Sequence, residues 1–299
     1  MIVLRSLCSK YILLDENMQP KICFLDNSVL VPRKQQQAHS PPYTFASDQY
    51  FDDVYLDPVY AESLLVSPEA DVYSFGVVLF ELMSGMLAYD NKIIEDVKPQ
   101  HLIHLVRRYY DAGLEKLIDP HIREPIDRRS FYSFGELAYK CISLNIKERP
   151  TIDFIIKTLE EVLDTQATIY DPDRLYRITK HGADSIVSHQ GHPLFSSSEL
   201  HSIKQHGRLT DRFQNLRAFV KDYRDIPKQF HHELDMMCSF QHENIIPFIG
   251  YCKESVEKNI VFEYATNGNL TSHIESRENM CAITWAQRLN ICLGAARGL

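Results

Sequence analysis

The stretch "DVYSFGVVLFELMSG", from Asp71 to Gly85, constrains the fold more than any other part of the sequence. It is typical of a helix, in which Asp71 suits the N-cap and Gly85 suits the C-terminal cap. The helix is apolar on almost every side, which predicts that other elements surround it. It contains Glu81 and is too short to cross a bilayer. The chain must therefore build a core around this helix.

Size and composition indicate a soluble globular protein. The 299 residues allow one large domain or two modest ones. The net charge of -8 argues against a nucleic-acid-binding protein, which usually shows a basic stripe. The 7 cysteines are scattered without C-x-x-C pairs, a pattern typical of reduced cytosolic thiols. We therefore expect a cytoplasmic protein that binds no nucleic acid and inserts into no membrane.

The periodicity of the chain divides it into two unlike halves. Helical patterns dominate residues 1–165, as in "FYSFGELAYKCI" and "RPTIDFIIKTLEEVL". Residues 166–199 are polar without a sustained period, which predicts a linker. Residues 200–299 contain two strand patterns, "RAFVKDY" and "NIVFEYA", around the helical "KQFHHELDMMCSF". They end in "TWAQRLNICLGAARGL", a helix that opens with a capping box. The pattern predicts an α+β protein.

Seven motifs resemble protein kinases. They are "YILLDENMQPKI", "VYLDPVY", "ADVYSFGVVLFELMSG", "KERPTI", "HENIIPFIGYC", "NIVFEYATNGNL" and "ITWAQRLNICLGAARGL". More narrowly, they are similar to the plant receptor-like Ser/Thr kinases of the malectin-receptor (FERONIA-like) branch. The resemblance covers most of the chain and implies a protein-kinase-like fold.

The order of the resembling segments is the reverse of that in a kinase. Residues 1–165 resemble the C-lobe from the catalytic loop to the last helix, and 200–299 resemble the N-lobe, hinge and first C-lobe helix. Two origins fit this order, a truncated tandem pair or a circularly permuted kinase. In a permuted fold, 283–299 would dock under the Asp71–Gly85 helix. Docking would bury the stripe Trp285, Leu289, Cys292 and Ala296.

The opening "LRSLCSKY" resembles the catalytic loop HRD-x-K-x-x-N without its reactive residues. The resemblance puts Ser6 at the catalytic Asp, Cys8 at the Lys and Tyr11 at the metal-binding Asn. A serine hydroxyl stays protonated at neutral pH, so Ser6 cannot serve as a carboxylate base. A tyrosine phenol is a poor ligand for Mg²⁺. The resemblance therefore implies that no catalytic residue remains here.

The metal-binding and phosphate-binding loops are altered as well. "KICFLD" resembles the DFG segment, with Phe24 at the metal-binding Asp and Asp26 on the Gly. Asp26 could replace the lost ligand only after a shift of about 6–7 Å. The glycine-rich loop should precede Arg217, but that stretch contains only Gly207, too few to close over phosphates. Mg²⁺ is left without its usual ligands.

Other nucleotide-binding positions are retained. Lys221 matches the strand lysine that holds the α- and β-phosphates, and Glu233 matches its helix partner. A solvated lysine and a surface glutamate are the alternatives. Phe262 matches the gatekeeper beside the adenine pocket, or is plain core. Glu263 and Ala265 match the hinge, whose backbone hydrogen-bonds adenine. ATP is therefore the candidate cofactor.

Two positions have structural counterparts in the family. Val59 stands where a Glu pairs with the residue matched by Arg149, so Arg149 should reach water or another carboxylate. Asp71 matches a buried Asp that hydrogen-bonds the catalytic-loop backbone, a role compatible with an N-cap. Residues 28–54 correspond to the activation segment. Its candidate sites for phosphorylation by another kinase are Ser40, Thr44 and Ser47, and an unmodified loop is the alternative.

The resemblance leaves three hypotheses for function. The first is a pseudokinase that acts in signalling by binding other protein kinases or receptor-like kinases, with or without ATP. The second is a weakly active ATP-dependent Ser/Thr kinase that uses a displaced carboxylate. The third is a non-functional remnant of a tandem kinase. In each case the protein would be cytoplasmic or would reach the plasma membrane through a partner.

Overall fold

The structure is a computed structural model of the chain. It describes residues 2–5, 7–23, 28–31, 38–39, 54–89, 102–122, 125–167, 194–206, 218–222, 227–239, 241–254 and 258–299. The predicted linker, 166–199, falls mostly outside these ranges. Its first two residues end one helix, and its last three begin another.

Helices and short strands fill the described ranges. The helices are α1 Pro58–Ser63, α2 Pro68–Ser84, α3 Leu102–Gly113, α4 Arg128–Cys141, α5 Ile152–Ala167, α6 Ser197–His206, α7 Pro227–Ser239, α8 Leu270–Glu275, α9 Arg277–Ala282 and α10 Trp285–Gly298. The strands are β1 Ile2–Val3, β2 Ile12–Leu14, β3 Pro20–Ile22, β4 Val29–Leu30, β5 Ala38–His39, β6 Leu65–Val66, β7 Ala218–Asp222, β8 Phe248–Cys252 and β9 Asn259–Glu263. Short 3-10 helices span Ser9–Tyr11, Leu114–Leu117 and Ile146–Glu148.

Helix α2 is the predicted apolar helix, and it is buried from Ala70 to its end. Gly85 adopts φ 66° at its C-terminal cap, as predicted. The expectation that Asp71 caps the other end is wrong. The helix begins three residues earlier, with Ser67 at the N-cap and Pro68 in the first turn. Proline suits that position because its missing N–H has no partner there in any case.

The last helix, α10, lies against the first half of the chain. It packs on α5, α2 and β3, and Thr284 and Gln287 form the predicted capping box. Trp285 meets Phe134 of α4 edge-on, with ring centroids 5.1 Å apart. The predicted inward stripe is fully buried. The expected docking of this helix is therefore confirmed.

Arg288 fixes the position of α10. It is fully buried, and its Nη2 donates to Asp119 Oδ2 at 2.6 Å. Nη1 donates to the Leu82 carbonyl at 3.0 Å, across 206 positions of sequence. Other donors reach the carbonyls of Ile283 and Met280. A buried guanidinium requires partners of this kind, so α10 is held at one depth and rotation on α2.

The second half contains an antiparallel sheet with strand order β7-β9-β8. β7 and β9 are the two predicted strands, which are confirmed, and β8 is a third strand that the pattern does not predict. Helix α6 packs beside β7. The hydrophobic cluster that joins α6 to this sheet consists of Phe195, Leu200, Ile203, Ala218, Ile249, Cys252 and Val261.

Six short strands lie among the described residues of the first half, which the pattern predicts to be helical. β2 and β3 form an antiparallel hairpin in which Ile12 faces Ile22. Strands of two or three residues are too short to show an alternating pattern, which is why the sequence does not reveal them. The described residues combine helices and sheets, so the α+β class is confirmed. No helix among them is both long and apolar enough to cross a membrane.

Gly294→Ala tests whether α10 packs as described. A β-carbon at this position would lie 2.5 Å from Pro20 Cγ of β3. Alanine normally stabilises a helix interior by about 1 kcal/mol relative to glycine. Here we expect the free energy of unfolding to fall by about 1–3 kcal/mol, measured in urea, because the core is overpacked. Arg297→Ala is the control. It removes only a half-exposed ion pair with Glu160 and should cost less than about 1 kcal/mol. Stabilisation by Gly294→Ala would contradict the docking.

Candidate functional site

Lys221 and Glu233 are in contact. Strand β7 carries the lysine, helix α7 carries the glutamate, and Nζ lies 3.2 Å from Glu233 Oε2. The Glu233 side chain is fully buried, whereas that of Lys221 is 21% exposed. The buried Glu233 carboxylate therefore holds the Lys221 ammonium group on one side, and the lysine side chain remains partly exposed to solvent. Such a group can attract phosphate oxygens.

Phe262, Glu263 and Ala265 lie at the end of β9 and in the connection that follows it. Phe262 is buried at the end of β9, and its ring stacks on Phe219 of β7 at 5.2 Å. The Glu263 amide donates to the Pro247 carbonyl at 3.0 Å. Burial raises the pKa of the Glu263 carboxyl, although the nearby Lys21 opposes this shift. The Ala265 carbonyl accepts from Gly268 N at 3.2 Å. These contacts define the backbone path of the connection after β9.

The hairpin β2–β3 joins the first half to this connection. Leu14 N donates to the Gly268 carbonyl at 2.8 Å, and Ile22 N donates to the Asn244 carbonyl at 2.7 Å. Helix α7 is tied to the first half as well, since His232 Nε2 lies 2.7 Å from the Ser28 carbonyl. The sequence does not predict these contacts, because each of them uses a backbone carbonyl, a group that every residue carries.

Asp71 holds the backbone of the opening loop. Its two carboxyl oxygens accept hydrogen bonds from Leu4 N and Arg5 N, both at 2.7 Å. Arg5 has φ 75°, a left-handed conformation that these bonds help to maintain. Burial raises the pKa of Asp71 to about 7, against the two amide bonds and the positive Arg5. The residue that follows this clamp is Ser6.

Tyr11 ends the 3-10 helix of the same loop. Its ring is half-buried against the main core, its N–H donates to the Cys8 carbonyl, and its carbonyl accepts from Cys23 N. The side chain at this predicted metal-ligand position is a phenol, which is a poor ligand for Mg²⁺. In the described part of the chain, no three His, Cys, Asp or Glu side chains meet as a metal site. Several predicted positions lie outside the described residues, namely Ser6, Phe24, Asp26, Ser40, Thr44 and Ser47.

Arg149 has a carboxylate partner that the sequence does not predict. Its Nη1 and Nη2 each lie 2.7 Å from an oxygen of Asp57, in a buried bidentate pair. Asp57 also accepts from Val59 N and caps α1. Asp57 stands only two positions before Val59, so its place in the sequence is the one signal that identifies it as the carboxylate partner of Arg149. The expectation that Arg149 would reach another carboxylate is met by this residue.

The protein tyrosine and serine/threonine kinase family matches residues 1–159 and 207–299 of this chain. A probable receptor-like protein kinase of Arabidopsis thaliana is 44% identical over 71 residues, which is 24% of this chain and 8% of that protein. Receptor-like protein kinase HERK 1 is 42% identical over 71 residues, with the same coverage. Wall-associated receptor kinase 5 is 31% identical over 163 residues, which is 53% of this chain and 21% of that protein. Both come from Arabidopsis thaliana. The chain spans a small part of the length of these curated relatives.

Substitutions at Asp57 test the buried pair. Asp57→Ala leaves the Arg149 charge buried without its carboxylate, and we expect a loss of about 3–5 kcal/mol in the free energy of unfolding. Val59→Ala should cost about 1 kcal/mol. Asp57→Asn keeps a good N-cap and removes only the negative charge. We therefore expect it to retain most of the fall in the free energy of unfolding that Asp57→Ala causes. Equal losses at positions 57 and 59 would contradict this assignment.

Proposed function

We propose that this chain, which belongs to the protein tyrosine and serine/threonine kinase family, is a pseudokinase that acts in signalling by binding and not by phosphoryl transfer. The proposal rests on one observation. Asp71 accepts hydrogen bonds from the two amides that precede position 6, yet the sequence has a serine at that position. The scaffold of the catalytic loop is retained without its base.

The chemistry of phosphoryl transfer supports this proposal. Transfer depends on a positioned nucleophile and on cations that neutralise charge on the phosphates. Ser6 cannot accept the proton, and neither Tyr11 nor Phe24 can hold Mg²⁺. Losing the base and both metal ligands removes the groups that act on the transferred phosphate, so we expect no rate above background.

ATP fits part of the site and Mg²⁺ does not. The Lys221–Glu233 pair suits the phosphates of a nucleotide, which would supply the negative charge that Lys221 attracts. The residues at the two metal-ligand positions do not fit the ion. We propose that any nucleotide binds without Mg²⁺ and serves as a structural ligand.

We also propose that the two segments assemble one kinase-like domain in permuted order. Support comes from the burial of α10 on α2 and from the hydrogen bonds of the β2–β3 hairpin to Asn244 and Gly268. The boundaries would be those predicted from the sequence, 1–165 and 200–299. The alternative, a remnant of two tandem kinases, would explain the order of the two segments. It would not explain why α10 of the second segment packs against α2 and α5 of the first.

The proposed partners are other protein kinases of the receptor-like group, since the relatives' names describe receptor kinases. Within that group we propose the FERONIA-like branch on the motifs quoted above. The protein would act in the cytoplasm, or at the plasma membrane through its partner. The partner would recognise the shape of the folded surface and not a catalytic site, because the reactive residues are replaced.

A phosphoryl-transfer assay tests the proposal. The full chain is incubated with labelled ATP, Mg²⁺ or Mn²⁺ and a general protein substrate, and we expect labelling at background. The triple variant Ser6→Asp, Tyr11→Asn, Phe24→Asp is the matched control. It restores the base and both metal ligands of the family and shows whether the rest of the fold supports phosphoryl transfer. Labelling by the unaltered chain that Lys221→Met abolishes would overturn the proposal in favour of a weak Ser/Thr kinase.

Nucleotide binding is measured separately as a thermal shift. ATP at about 100 times its Kd adds about 2.7 kcal/mol to the free energy of unfolding. We expect the same rise in Tm with Mg²⁺ and with a chelator, and a smaller rise for Lys221→Met. A rise that requires Mg²⁺ would contradict the Mg²⁺-independent mode.

A further inference from the structure

Helix α7 carries two adjacent residues that each contact a different element. Glu233 Oε2 lies 3.2 Å from Lys221 Nζ of β7, and His232 Nε2 lies 2.7 Å from the Ser28 carbonyl, 204 positions away in the sequence. A carbonyl oxygen only accepts hydrogen bonds, so Nε2 of His232 must carry the proton and donate it. The structure therefore holds α7 by two directional contacts made from neighbouring positions.

These two contacts together define how α7 is turned about its own axis. Adjacent residues of an α-helix are separated by about 100° around the axis, because one turn takes 3.6 residues. One contact alone would let the helix turn about that contact, whereas two contacts at this angle fix the rotation. The apolar side chains of α7 fix it less closely, because hydrophobic burial is not directional. Those buried side chains are Phe230, Met236 and Met237.

Ser28 is a firm anchor for His232. It is buried, and strand β4 begins at the next residue. β4 pairs with β1, where Val3 lies opposite Val29. Val3 belongs to the same hydrophobic cluster as Ala70 of α2, and Val29 packs against that cluster. The Ser28 carbonyl is thus attached to the core of the first half, and His232 connects α7 to it.

The contact between Glu233 and Lys221 depends on the rotation that His232 defines. A separation of 3.2 Å is at the long end of the range for a hydrogen bond, so a small turn of α7 would break it. The Glu233 side chain is fully buried, and its carboxylate moves with the helix. The position of the Lys221 ammonium group therefore follows the position of α7.

We propose that His232 is a positioning residue for the Lys221–Glu233 pair. Its hydrogen bond to Ser28 holds α7 in the rotation at which Glu233 meets Lys221, and so orients the ammonium group towards a nucleotide phosphate. His232 acts through the helix and not by contact with the ligand. The proposal rests on the proposed function in its last step, since a bound nucleotide is what gives the orientation of Lys221 its use.

The chain offers matched variants for a test. His232→Leu removes the donor, whereas His232→Gln keeps one, because a glutamine amide can donate to the same carbonyl. His231 is the adjacent residue of the same helix and is exposed, whereas His232 is half-buried. His231→Leu therefore makes the same chemical change one position away from the contact.

The NMR resonances of the Lys221 side chain test the positioning in the full chain without a ligand. They are assigned by their loss in Lys221→Met. We expect them to shift in His232→Leu, because the ammonium group loses its fixed partner, and to keep their positions in His232→Gln and His231→Leu. Resonances that stay in place in His232→Leu, or that shift equally in His231→Leu, would overturn the proposal.

The Kd for ATP, measured by calorimetry in the presence of a chelator, tests the consequence for binding. We expect His232→Leu to raise this Kd about 3- to 10-fold, the effect of one hydrogen bond, and the other two variants to leave it unchanged. Equal Kd values for the unaltered chain and His232→Leu would show that His232 has a structural role alone, even if its Tm falls.

The two measurements separate this proposal from the proposed function. If none of the proteins binds ATP and the Lys221 resonances shift as expected, nucleotide binding is wrong and the positioning of the Lys221–Glu233 pair by His232 stands. If ATP binds to every variant with the same Kd, nucleotide binding stands and the positioning role is overturned.

Discussion

The buried contact between Arg288 and Asp119 determines how the rest of the structure is arranged. Arg288 belongs to the last helix, and Asp119 lies beyond the far end of α2, so the pair joins the two halves. Burial acts to raise the pKa of Asp119, but hydrogen bonds from His121 and Arg288 outweigh it and hold that pKa below its ordinary value. A buried pair of this kind adds less to stability than to specificity, and here it selects one position for α10. Once α10 is in place, the β2–β3 hairpin can reach its partners in the second half.

Under the proposed pseudokinase function, structural contacts would keep the opening loop folded without its reactive side chains. Asp71 binds backbone amides, and Asp57 binds the guanidinium of Arg149, so neither contact depends on the reacting groups. Substitution of a reactive side chain leaves these contacts intact. The retained Lys221–Glu233 pair also has a structural role, because it ties β7 to α7. Under the proposed function, these contacts maintain the fold of the site, and the surface of that fold binds the partner.

Much of the fold was accessible from the sequence. Strong periodicity predicts α2 and α10, and hydrophobic runs predict β7 and β9. The short strands and the β2–β3 contacts were not accessible, since backbone hydrogen bonds leave no mark on residue type. The pair of Asp57 and Arg149 illustrates a second limit. The two residues are brought together by the fold, and their separation of 92 positions along the chain does not identify them as partners. The residues at positions 6, 11 and 24, which the resemblance places at one catalytic and two metal-ligand positions, are read directly from the sequence, and positions 6 and 24 lie outside the described residues.

One measurement tests the central claim that the two halves assemble a single domain. A specific protease site is inserted between Ala167 and Leu194 in the full chain, the purified protein is cleaved, and the products are separated by size-exclusion chromatography without denaturant. The interface of α10 with α2 and α5 predicts that the two fragments elute together at the mass of the uncleaved chain. Elution as separate fragments, with Trp285 fluorescence shifted to that of an exposed indole, would contradict it.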